Sequence, residues 1–133
     1  MKQAEIHKVL DDWHDAAASS DEARYFAHFA KDAVFLGTDA TERWDVSSLR
    51  AYAHAPFSEG RGWEMRALRR SITIGPEGVA WFDEELATRN LGPARGSGVM
   101  LYEGHQWKLA QYNLTITVPN QRLAEVKALL VSL

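Results

Sequence analysis

From Trp63 to Asn120 the sequence alternates apolar and polar residues in runs, and only short turn-forming stretches interrupt it. "WEMRALRRSITIG" (63–75) stops at "GPEG" (75–78), and a second run over 79–90 ends in "NLGPA". A third run, 94–103, turns at "EGH" into a fourth, 106–118, and "VPN" (118–120) ends the series. Strands this long on loops this short pair antiparallel with their chain neighbours, which is a meander. Upstream the period is helical. Ile6, Val9, Leu10, Trp13 and Ala17 fall on one face of a helix over 4–18. Helices followed by a long meander predict an α+β fold, with a sheet packed on one face that can curl around a central hollow.

Local signals fill in the first half. Ser19 and Glu22 have the spacing of a capping box and predict a short helix over 20–29, with Tyr25, Phe26 and Phe29 on its apolar side. "AVFLGT" (33–38) reads as a short strand. Asp45 is placed to cap a helix whose inward stripe is Leu49, Tyr52, Ala53 and Phe57, with Pro56 disturbing its end. A final amphipathic helix uses Leu123, Val126, Leu129, Leu130 and Leu133.

Composition narrows the function classes. A chain of 133 residues, 46% of them apolar, suits one domain (1–133) with a real core. A net charge of −3 offers no strongly basic surface to a phosphate backbone, so nucleic acid is excluded as a partner. The absence of cysteine removes disulfides, thiolate nucleophiles and Cys-ligated zinc. Met1 leads into "KQAEIHKVLDDW", which is acidic and amphipathic, and no window approaches the ~18 apolar residues of a membrane span. A cytoplasmic protein with no membrane partner is the expectation. His7, Asp11 and His14 have metal-gathering spacing, but on a helical wheel they flank the core stripe toward solvent. With no His-Glu-x-x-His, phosphate loop or dinucleotide fingerprint, no metal and no cofactor are expected.

The chemistry-bearing segment is "GVAWFDEELATR" (78–89), which begins like a buried strand and then places three acids in a row. Neighbouring strand residues point to opposite faces, so Asp83 and Glu85 share one and Glu84 takes the other with Phe82 and Leu86. At least one acid then lies on the helix-covered side, where a charge needs a partner, a ligand or a shifted pKa. Asp83 is favoured over Glu84 because it lies deeper from the "NLGPA" turn; the competing reading leaves these acids solvated or paired with sheet arginines. Arg95 is the natural counter-charge, for a ligand or for Asp83, Glu84 or Asp39. Trp44 and Asp39 follow the first strand, at the expected mouth of the hollow, and Tyr25, Phe35, Tyr52 and Trp81 are its apolar walls.

"FLGTDATERW" (35–44), "AWFDEEL" (80–86), "RGSGVM" (95–100) and "WKLAQYNLTITVPN" (107–120) together resemble the SnoaL-like branch of the nuclear transport factor 2-like superfamily. The resemblance covers roughly 5–120 and implies a cone-shaped antiparallel roll, cystatin-like in architecture, usually a homodimer packed through the sheet. It also implies a concave wall carrying Arg95, Ser97, Gln111 and Asn113. Relatives often have His-x-His on the last strand; the matching positions here are Gln111 and Asn113, which hydrogen-bond but carry no proton near neutral pH. Two registers are open. A two-residue loop pairs Tyr102 with Trp107 and sets Asn113 against Gly96, whereas a three-residue loop sets Asn113 against Ser97 and Gln111 against Val99. The resemblance selects the second.

The resulting expectation is a cofactor-independent protein that binds a small organic molecule. As an enzyme it would be an isomerase, dehydratase or hydrolase with Asp83 or Glu84 as general base. The alternative is a non-catalytic ligand-binding or dimeric structural module.

Overall fold

The computed structural model describes residues 2–132. Helix α1 (Lys2–Ala18) lies across the inner face of a six-stranded curved sheet, with Ile6, Leu10, Trp13 and Ala17 buried against it. After α2 (Glu22–Ala27) come β1 (Phe29–Leu36), the three-residue β2 (Arg43–Asp45) and α3 (Val46–Ser58). Then follow β3 (Met65–Ile74), β4 (Val79–Thr88), β5 (Gly92–Glu103) and β6 (Gln106–Ile116), and the chain closes with α4 (Leu123–Val131). The strand order is β2-β1-β6-β5-β4-β3. The meander forms as expected, and β1 joins it in parallel against β6. Among the described residues no helix is long and apolar enough to cross a membrane.

Several local expectations change. The cap of α2 is Asp21, whose carboxylate accepts from the Arg24 amide, and not Ser19. Asp45 does cap α3, in a reciprocal box with Ser48. Strand β1 starts at Phe29, earlier than the β-run in the sequence suggests. Helix α4 buries none of its side chains: Leu123, Leu129 and Leu130 are all exposed. Leu133, assigned to the same stripe, lies outside the described residues.

The β5–β6 hairpin combines features of both candidate registers. Gly104 and His105 both have positive φ (58° and 63°), the signature of a two-residue type I′ turn, and Tyr102 pairs with Trp107. One extra residue, Ala110, then bulges β6, so Ser97 faces Asn113 and Val99 faces Gln111 beyond it. A second bulge at Leu68 shifts β3 relative to β4 between Ala67 and Arg69.

Candidate functional site

The alternation of β4 places Phe82, Glu84 and Leu86 inside the curl and Trp81, Asp83 and Glu85 outside. Glu84 is 1% exposed, and three elements supply its partners. Arg70 stands opposite it in the β3–β4 register and donates from Nε to Oε1 at 2.7 Å. The Leu68 bulge aims Arg70 inward; without it the alternation from Met65 and Ala67 would bring in Arg69 instead. His14, from α1, meets Oε2 through Nε2 at 2.7 Å. The Tyr112 hydroxyl, from β6, donates to the same oxygen at 2.6 Å. Gly96 makes room for that phenol: a Cβ there would lie 1.8 Å from the Tyr112 oxygen. The Arg70 guanidinium, with its side chain 3% exposed, also reaches Asp11 at 2.9 Å and His7 at 3.0 Å.

Burial alone pushes the Glu84 carboxyl up. The hydrogen bond and charge of His14, the Arg70 charge and the Tyr112 hydrogen bond outweigh it and bring the carboxyl down to about 2. Glu84 is therefore ionised and accepts only, which requires His14 Nε2 to carry a hydrogen. Burial and the neighbouring Glu84 charge push the Tyr112 phenol well above its ordinary range.

Beside this network Trp13 Nε1, His14 Nδ1 and the Tyr25 hydroxyl are buried without a hydrogen bond to another described protein group. Their rings are successive neighbours. Trp13 lies 5.0 Å from His14 and stacks on Tyr25 at 5.2 Å between centroids. The Trp63 indole sits edge-on to Tyr25 at 5.8 Å and comes near its hydroxyl without closing a hydrogen bond. Burial pushes the Tyr25 phenol up, so it stays a donor.

At the open end of the curl is a cavity of about 220 Å³. Its rim carries Trp44, packed on Tyr52 at 5.0 Å between ring centroids. Phe35, Leu49, Trp63, Met65 and Leu114 line it further in, and Thr38, Glu42 and Asn90 supply polar edges. A separate cleft of about 400 Å³ between α1 and β3 is lined by Asp11, His14 and Ala67, and it shares Glu64 and Met65 with the mouth cavity.

The profile of the SnoaL-like domain matches residues 6–119. The chain belongs to the SnoaL-like family. Solved structures agree at the level of fold. A nuclear transport factor 2-like protein of unknown function from Pseudomonas putida shares 15% identity over 91% of this chain and 92% of its own, with a TM-score of 0.71. A cystatin-like domain of unknown function from Nostoc punctiforme superposes with a TM-score of 0.78 at 12% identity, over 95% of this chain and 83% of that one. A Novosphingobium aromaticivorans protein, provisionally described as a scytalone dehydratase, gives a TM-score of 0.75 at 12% identity, covering 88% of this chain and 85% of its own. No curated protein matches the sequence.

Within this SnoaL-like fold the expected site residues separate. Glu84, Tyr25, Phe35 and Trp44 lie on the inner side or at the mouth. Asp83, Trp81, Arg95, Ser97, Gln111 and Asn113 share the outer face of the sheet. The pairing of Ser97 with Asn113 is as expected, but the whole set points away from the hollow, because Tyr112 and Leu114 take the inward positions of β6. Asp83, Arg95 and Arg69 border a polar recess there instead. Asp39 is exposed and spent on its own loop, accepting from the Thr41 amide and hydroxyl. His14, Arg70 and Tyr112 did not stand out in the sequence. The wheel that placed His7, Asp11 and His14 toward solvent misses that this edge of α1 packs over β3, where Arg70 gathers two of them and Glu84 the third.

Proposed function

We propose that this SnoaL-like protein binds a compact, mainly apolar organic molecule in the mouth cavity. The aromatic lining supports this most directly. Trp44 and Tyr52 form a partly exposed shelf at the rim, and Phe35, Trp63 and Met65 form an apolar interior, in a concave site with few polar groups. At about 220 Å³ the cavity is smaller than the roughly 300–1,000 Å³ of drug-sized pockets, which favours a single-ring ligand. The provisional dehydratase description of one structural neighbour supports a small-molecule role through the fold alone.

Catalysis by a pocket carboxylate is the weaker form of this reading. Asp83 lies on the outer face, and the carboxylate oxygens of Glu84 are already engaged by Arg70, His14 and Tyr112. A titration with 4-ethyltoluene, followed by calorimetry, tests the binding. Saturable binding that Trp44→Ala weakens at least about fivefold is expected from loss of an aromatic anchor. Equal affinity in both proteins would place the ligand elsewhere.

The same reading includes a homodimer through the outer sheet face and a cytoplasmic setting. Trp81 is 48% exposed there, paired with Val99 on the neighbouring strand, and carries apolar surface that a second copy would cover.

A further inference from the structure

The charged groups at the mouth cavity are all of one sign. They are Glu42 and Glu64, and among the described residues that line the cavity there is no Lys, Arg or His. The same wall supplies four aromatic rings, those of Phe35, Trp44, Tyr52 and Trp63. Carboxylates and aromatic faces are chemically unrelated, yet both attract positive charge: the carboxylate by its own charge, the ring by its quadrupole.

Glu42 is held at the rim by its own loop. The Gly37 amide donates to its carbonyl and its amide donates to the Asp39 carbonyl, both at 2.9 Å. Its Oε1 accepts from the Asp39 amide at 3.0 Å. The carboxylate lies against Gly37, where an added Cβ would sit 2.6 Å from Oε1, so the glycine makes room for it. Trp44 follows two residues on, the spacing that returns an extended chain to one face, and both side chains line the cavity. Glu64 comes from a second segment, the residue before β3. Its pair with Arg89 is long, at 3.8 Å, and both side chains are mostly exposed, so Arg89 does little to offset the negative charge of the mouth.

These walls discriminate among ring ligands by charge. A neutral ring takes water from the carboxylates and returns no interaction. An anionic ring meets like charge. A ring that carries a positive nitrogen keeps the aromatic contacts and compensates the acids for their lost hydration. The net charge of −3 acts in the same direction at longer range. We propose that the mouth cavity selects a single-ring organic cation, an arylalkyl ammonium, whose nitrogen sits at the rim among Trp44, Tyr52 and Glu42, with Glu64 as the second acid. This rests on the mouth-cavity reading and adds the charge of the ligand to it.

The test is calorimetry near neutral pH with benzylammonium, benzyl alcohol and benzoate, which share one ring and differ in charge, beside 4-ethyltoluene. Benzylammonium should bind the wild type at least about fivefold tighter than benzyl alcohol, from carboxylate and cation–π attraction together, and benzoate should bind most weakly. Added salt should erode the preference. Glutamine keeps the length of glutamate and its Oε1 acceptor, so the Glu42→Gln, Glu64→Gln double variant removes charge and preserves the loop. In that variant benzylammonium should bind no tighter than benzyl alcohol, with the affinity for 4-ethyltoluene unchanged. Trp44→Ala should weaken benzylammonium at least about fivefold. If 4-ethyltoluene binds through Trp44 but benzylammonium binds no tighter than benzyl alcohol, the mouth-cavity reading stands and the charge selection is overturned. An ammonium preference that the double variant or Trp44→Ala leaves intact comes from acids elsewhere and overturns it as well. If no probe binds, both readings fall.

Discussion

Glu84 shows how a charge can be kept in the interior of a small fold. Its three partners come from α1, β3 and β6, so one carboxylate ties the helix layer to the edge strand β3 and the central strand β6. Removing one member of such a buried pair costs more than the pair contributes, because the other charge is left without compensation. Glu84→Gln is expected to lower unfolding free energy by about 3–5 kcal/mol in urea denaturation, with the exposed Asp11 as the carboxylate left to Arg70. The acid limb of stability should change as well. The folded carboxyl titrates near 2 and the unfolded one near 4.5, so the unfolded state binds the proton first as pH falls. The stabilisation is complete above the unfolded value and is lost as pH falls toward 2, by an amount on the order of 3 kcal/mol. Denaturation curves between pH 6 and 2 should show a shallower acid loss in Glu84→Gln than in the wild type. At this scale the sequence was half legible. Strand alternation does force one acid inward, yet nothing local separates Asp83 from Glu84, because that choice depends on which face the helices cover. His14 and Arg70 were hidden for the same reason: each acquires its meaning from a partner 70 or 14 residues away.

Among the elements, the long meander was readable because period-two patterns and turn chemistry are local. The parallel pairing of β1 with β6 was not, since it joins residues such as Val34 and Gln111 that are remote in the chain. The two bulges were also invisible, each being one surplus residue inside an otherwise regular strand. Helix α4 is the converse case: its apolar stripe is plain in the sequence, yet in the fold it covers nothing, and the family match ends at 119, before the helix begins. A chain ending after Pro119 should therefore keep its unfolding free energy within about 0.5 kcal/mol, read by urea denaturation, because no buried contact is removed. A larger loss would mean that α4 packs against this chain or a second copy in solution.

For the whole molecule, the fold separates its polar residues into two populations. The inner one is small, centred on Glu84, and sits behind an aromatic mouth. The outer one includes Asp83, Arg95, Gln111 and Asn113, around the half-exposed Trp81. If the outer face is the dimer interface, sedimentation at micromolar concentration should give twice the monomer mass. Trp81→Glu should give monomers with unchanged far-UV circular dichroism, since a charge would be desolvated twice across a two-fold contact. Monomer already in the wild type would leave the outer face to solvent or to another partner.

Ala110 is a methyl group with no chemistry of its own, yet it decides which residues of β6 belong to which population. Were it paired as an ordinary strand residue, alternation from Leu109 would hand Gln111 and Asn113 to the interior and turn the Tyr112 phenol out to water; losing its codon instead joins Leu109 directly to Gln111 and leaves each later side chain on its present face. In a deletion survey such a variant should look close to neutral, although it removes a residue from the middle of a strand.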